Sequence, residues 1–243
     1  TYSLNAVWDG LRDCYSSLLT DVKGKYGCTI TNLTSLGFSA MMHGYMAFDK
    51  EGTLLVPFRT WRNTITGEAS EELTALFHYH IPQRFSIAHL YQAMLKKEPH
   101  LTKIDSLLTL AGYINWQMTG EKVIGIGEAS GMFPIDIQTK DYNQNMINQF
   151  EEKAASMGYN FHLRELLPKT ALAGEIAGYL TEESARKLDV SGSLKAGVPI
   201  APAEGDAGTG MTATNSVTVR TGNVSAGTSV FAMLVLENEL KGV

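Results

Sequence analysis

Ala201-Pro202-Ala203-Glu204-Gly205-Asp206-Ala207-Gly208-Thr209-Gly210 is the most informative stretch of this 243-residue chain. Three glycines and small neighbours allow close backbone approach to a ligand, and Asp206 stands among them as a proton acceptor. Read as chemistry, Asp206 is a general base at the mouth of a helix. Read as scaffold, it caps a helix after an exposed Gly/Asp loop, and spacing alone favours that second reading. Residues 198–214, rich in Gly, Ala and Pro, read as loop. Residues 224–236, small and β-branched, read as hairpin-like strands.

Upstream, 4–26 is a strong helix. Leu4, Val7, Trp8, Leu11, Cys14, Tyr15, Leu18, Leu19 and Val22 form one apolar stripe, and Gly24 and Gly27 end it. Residues 33–40, 45–48 and 54–56 read as short strands around a turn at 49–52. Helices follow at 68–77, at 87–97 behind Ser86 as N-cap, at 106–118 and at 143–157. Another spans 181–188, behind a Thr-Glu-Glu-Ser start. Strands at both ends with helices between predict a single α/β domain with a helical insert.

Composition narrows the function. Hydrophobic residues make up 44% and charged residues 19%, enough for a real core and against disorder. No apolar run reaches the ~20 residues of a membrane span. A net charge of −5 without a Lys/Arg block argues against nucleic-acid binding. Cys14 and Cys28 are too few for a disulfide framework and have no zinc-like partners, so no metal ligands are assigned and the compartment reads as reducing, that is cytoplasmic.

Other candidates are weaker alone. His43, in Met42-His43-Gly44 between two strands, could reach a polar ligand or serve as a structural hydrogen-bonder. Trp61-Arg62-Asn63 combines a stacking surface with a fork of donors suited to a polyhydroxylated ligand. Gly125-Ile-Gly-Glu-Ala-Ser-Gly131 has its third glycine one residue late and no clean strand-to-helix pattern, which excludes a dinucleotide loop, although Glu128 and Ser130 remain polar contacts. His78-Tyr79-His80 reads as a helix end or loop. Gly222-Asn-Val-Ser-Ala-Gly-Thr-Ser229 could offer backbone N–H groups and hydroxyls to phosphate but lacks the P-loop ending.

Taken in order, Gly37-Phe-Ser-Ala-Met-Met-His-Gly44, Trp61-Arg-Asn63, Leu110-Ala-Gly-Tyr-Ile-Asn-Trp-Gln-Met-Thr-Gly120, Gly127-Glu-Ala-Ser-Gly-Met-Phe-Pro-Ile-Asp136, Gly205-Asp-Ala-Gly-Thr-Gly210 and 222–230 resemble the FGGY carbohydrate kinases, in particular their xylulokinase-like members. The resemblance implies a ribonuclease-H-like, actin-like ATPase fold and phosphorylation of a ketose by ATP with Mg²⁺. It implies that Asp206 takes the proton of the sugar hydroxyl and that Met42 and His43 hold the sugar. Trp61, Arg62 and Asn63 then line the same pocket, and Glu128 and Ser130 occupy the place of the family's Asp-Ala-Ser segment. Gly227, Thr228 and Ser229 approach the ATP phosphates.

Against the family pattern, residues 1–243 lack the first Asp-x-Gly-Thr/Ser phosphate hairpin and the C-terminal nucleotide-binding domain. The chain therefore reads as the N-terminal sugar-binding domain, truncated at both ends and inactive alone. A lysine that the family carries before Trp116 is replaced here by Leu and Thr. The implied partners are the sugar and the missing domain, with no membrane or nucleic acid and a homodimer left open. The alternative is a non-catalytic sugar-binding or scaffold module of the same fold.

Overall fold

The structure is a computed structural model that describes residues 2–226 and 230–238. Helix α1 (Leu4–Tyr26) runs as the periodicity predicts and stops at Gly27, whose φ of 67° lets the chain turn off. It docks through a narrow contact. Trp8 and Tyr15 are buried, the Trp8 Nε1–H donates to the Tyr113 hydroxyl at 3.3 Å, and Lys187 Nζ lies 3.6 Å over the Trp8 ring. Cys14 and Leu18, expected on the buried stripe, are exposed, because only one line of this surface helix meets the body.

The predicted strand at 33–40 shortens to β1 (Ser39–Ala40), and β2 (Met46–Phe48) follows. Helices α2 (Gly67–Phe77) and α3 (Ser86–Leu95) come next. Ser86 is not an N-cap but the first helical residue; its buried hydroxyl donates to the Gly44 carbonyl at 2.6 Å. The predicted helix at 106–118 divides into β3 (Ser106–Leu108), antiparallel to β2, and α4 (Leu110–Thr119), with Thr109 as N-cap between them. Ser106-Leu-Leu is a short apolar run whose periodicity cannot separate strand from helix, and pairing with β2 settles it.

Strand β4 (Val123–Gly125) does lead into a helix, the single turn α5 (Ile126–Ala129), so the clean junction denied by the sequence pattern exists, although far too short for a dinucleotide loop. Strands β5 (Ile135–Asp136) and β6 (Asp141–Tyr142) pair with each other ahead of α6 (Gln144–Ser156) and α7 (Leu163–Leu166). Strands β7 (Lys169–Ala171) and β8 (Gly178–Tyr179) lead to α8 (Glu182–Leu188). Asn143 and Thr181 cap α6 and α8 by accepting main-chain N–H groups.

Residues 198–214 are more regular than a loop. They hold β9 (Pro199–Ile200), β10 (Glu204–Gly205) and α9 (Asp206–Ala213). The hairpin β11 (Gly222–Ala226) and β12 (Val230–Leu234) is antiparallel, as expected. Two parallel pairings fix the site: β1 with β10, Ser39 opposite Glu204 and Ala40 opposite Gly205, and β4 with β7. One apolar cluster fills the space among α2, α3, α6 and α7, with Leu73, Leu90, Tyr91, Phe133 and Phe150 at its centre. A second, including Trp8, Phe48, Leu108, Met118 and Ile200, lies beneath α1, α4 and α8.

Candidate functional site

Asp206 is the first residue of α9, directly after β10, at the mouth of a helix as its glycine-rich setting implies. Parallel pairing of β1 with β10 carries residues 41–44 up beside it. The Met42 N–H donates to Asp206 Oδ1 at 3.3 Å, and the same oxygen accepts from the Ala207 N–H at 3.0 Å. Asp206 is exposed but tethered, and a carboxylate at a helix N-terminus is favoured by the unpaired N–H groups there. Ser39 Oγ meets Thr209 Oγ1 at 2.7 Å, a second link between β1 and α9.

Gly205 is required by space. A Cβ there would run into Met42 Cγ and lie 2.5 Å from Glu128 Oε2. Glu128 is fully buried beneath this glycine, and neither carboxyl oxygen has a partner in hydrogen-bond geometry. Burial pushes its carboxyl up to about 8; the nearby Thr109 hydroxyl opposes this, and the charges of Glu204 and Asp206 reinforce it. Glu128 is therefore protonated at neutral pH. Glu204 accepts the Glu128 N–H at 2.9 Å and fills the notch left by Gly125 and Gly127, and burial raises its carboxyl above the usual range.

His43 adopts φ 67° and is followed by Gly44 at φ 98°. Its ring stacks on Phe85 with centroids 5.5 Å apart. Arg84 Nε–H donates to His43 Nε2 at 3.0 Å, so the other nitrogen carries the proton and Nδ1–H donates to the Gly131 carbonyl at 3.2 Å. Burial pushes this imidazole down to about 4, helped by Arg84 and opposed by the Gly131 bond and Asp206, and the ring is neutral. Both nitrogens are thus engaged within the protein.

Met42, His43, Glu128 and Asp206 come together around Gly205 and the His43 corner. Arg62 and Asn63 instead line a cavity of about 480 Å³ with Tyr2, Phe58, Arg59 and Thr60. The two are joined by Gly44: Arg59 pairs with Tyr45 through two main-chain hydrogen bonds, and a Cβ on Gly44 would lie 2.7 Å from the Arg59 carbonyl. Arg62 stacks over Trp61 at 4.9 Å, and Asn63 Oδ1 accepts the Ile65 N–H. Ser130, exposed, donates to the Gly127 carbonyl at 2.6 Å. His78 is the left-handed C-cap of α2, matching the helix-end reading. Gly227, Thr228 and Ser229 lie outside the described residues.

A further cavity of about 300 Å³, lined by Leu55, Val56, Glu98, Pro99, His100 and Lys103, shares no residue with either. Among the described residues there is no group of three His, Cys, Asp or Glu suited to a metal ion, and no helix long and apolar enough to cross a membrane. Sequence reasoning missed Arg84 and Glu204 as neighbours of the site; neither carries a local signal, since both act through partners more than forty residues away.

The chain is similar to proteins of known activity. The L-fuculokinase of Escherichia coli (strain K12) is 26% identical over 214 residues, which cover 84% of this chain and 41% of that protein. The xylulose kinase of the same organism is 24% identical over 223 residues, 87% of this chain and 42% of that one. The chain thus spans less than half the length of these relatives. The ligand-bound xylulose kinase from Lactobacillus acidophilus superposes with a TM-score of 0.72 at 16% identity, covering 93% of this chain and 44% of that one, and it gives the fold as the actin-like, ribonuclease-H-like one. The model of the N-terminal domain of the FGGY family of carbohydrate kinases matches residues 2–212, and the chain belongs to that family.

Proposed function

We propose that residues 1–243 are the sugar-binding domain of an ATP-dependent carbohydrate kinase acting on a ketose, with Asp206 as the base that accepts the proton of the attacking hydroxyl. The observation that carries this reading is the tether between the Met42 N–H and Asp206 Oδ1. It holds an exposed carboxylate beside the residues expected to hold the sugar. Protonated Glu128 behind Gly205 adds no second negative charge, so the acceptor stays on the solvent side. Orientation of one hydroxyl against such a base supplies much of the rate gain in phosphoryl transfer.

Arg62 and Asn63, in the cavity joined through Gly44, offer donors for the remaining hydroxyls. ATP is the phosphoryl donor, bound chiefly by a second domain. Mg²⁺ would neutralise charge on the transferring group. Of the three carboxyls at the cleft, Glu128 is buried and protonated and Glu204 is taken up by main-chain amides. Asp206 alone faces outward, which suits a metal ion carried on nucleotide phosphates. In this reading the chain has no kinase activity by itself and works in the cytoplasm.

Assay of ADP release by the intact enzyme against a panel of ketoses and polyols tests the proposal. Asp206→Asn, which keeps an oxygen for the Met42 N–H, lowers kcat by about 10²–10⁴-fold. A variant with near-normal turnover refutes the role of Asp206.

A further inference from the structure

The chain has seven arginines. Five of them, Arg12, Arg59, Arg164, Arg186 and Arg220, pair with a carboxylate. Among the described residues the remaining two, Arg62 and Arg84, have no such partner. Arg62 lines the cavity beyond Arg59, whereas Arg84 is bonded to His43 and Gly44 at the corner itself. In a chain of net charge −5, an uncompensated guanidinium group beside the proposed site calls for a reason.

Arg84 is exposed yet fixed at both ends. Its carbonyl accepts the Gly44 N–H at 3.2 Å, and its Nε–H donates to His43 Nε2 at 3.0 Å. The His43 ring is in turn clamped by Gly131 and Phe85. The guanidinium plane is therefore set before any ligand arrives, and the four N–H donors on Nη1 and Nη2 are left over. The charges of Arg84 and Asp206 both reach the same imidazole. A neutral sugar uses Asp206 and leaves this fork in water, whereas an oxyanion gains a bidentate, charge-assisted pair on a pre-oriented donor.

We infer that Arg84 determines specificity and that the sugar taken by this cleft carries an oxyanion, a carboxylate or a phosphate ester, which Arg84 binds while a hydroxyl of the same molecule faces Asp206. This rests on the sugar-kinase reading given above and narrows its substrate class, a carboxylate outcome putting a sugar acid in place of the simple ketose.

Calorimetric titration of the full-length enzyme with three five-carbon probes, xylulose, xylonate and xylulose 5-phosphate, tests it. One of the two anionic probes binds at least about tenfold tighter than xylulose and is itself phosphorylated by ATP, which separates a substrate from a bound product, and which one identifies the oxyanion. Arg84→Ala removes about 10–100-fold of that affinity and weakens xylulose binding, which feels only the loosened His43 ring, by a smaller factor. Arg84→Lys restores only part, because a point charge replaces the fork. Tightest binding of xylulose, or equal losses for charged and neutral probes in Arg84→Ala, overturns the inference and leaves the kinase reading standing. Binding of none of the three, with turnover indifferent to Asp206→Asn, overturns both.

Discussion

The helical region and the C-terminal segment are held together in opposite ways. In α3 nine of ten residues are buried, Leu90 completely. In α9 none is buried, and the β11–β12 hairpin exposes Val224, Val230 and Leu234 at 67%, 72% and 71%. The first region is stabilised by apolar burial around Leu73, Tyr91 and Phe150. The second rests on main-chain pairing and on a few polar links, such as Asn223 Nδ2 to Thr214 Oγ1 at 3.1 Å. The proposed base sits on the lightly held side, and the residues expected to meet its substrate sit on the heavily packed side. A rigid frame thus presents the ligand contacts while the carboxylate is carried by the part with least burial, as is common for segments that act on ligands.

Hydrogen exchange gives the largest expected contrast. Amides of α3 exchange at least about 10³-fold more slowly than those of β11 and β12, and equal rates would erase the distinction. Point substitutions read the same contrast in stability. Leu90→Ala costs about 2–5 kcal/mol by chemical denaturation, whereas Val224→Ala changes stability by less than about 0.5 kcal/mol. At the seam, Gly205→Ala forces a methyl group into Met42 and Glu128 and costs about 1–3 kcal/mol, together with the Asp206 geometry.

A further contrast is one of pH. Burial raises the Glu128 carboxyl to about 8, well above its unfolded value of 4.5, so the folded state retains a proton that the unfolded chain releases. Stability falls between those two values as pH rises. Glu128→Gln lacks that slope and gains on the natural protein as pH rises from 5 to 8, measurable as a difference in Tm that widens with pH. A gap that stays constant with pH places the proton elsewhere.

Much of this was legible locally. The ends of α1, α2, α6 and α8 follow from periodicity and from Gly27, Asn143 and Thr181, because those signals act within one turn. Asp206 at a helix mouth followed from its glycines, although α9 itself was hidden by Gly208 and Gly210, poor helix formers that made the segment look like loop. Ser106-Leu-Leu became a strand only because β2 lies beside it. Glu204 and Arg84 were invisible for the same reason: each is defined by a partner distant in sequence and close in space.

The corner at His43 and Gly44 has a consequence of its own. A non-glycine residue in the left-handed region costs about 1–2 kcal/mol, so His43 is a wound spring held shut by its ring. Gly131, Arg84 and Phe85 are the catches. A side chain at residue 131 would lie 2.6 Å from His43 Nδ1 and prise the ring loose. The corner would then unwind toward an extended path and swing the Met42 amide off Asp206. Gly131→Ala is thus a way to silence the carboxylate without touching it or anything bound to it.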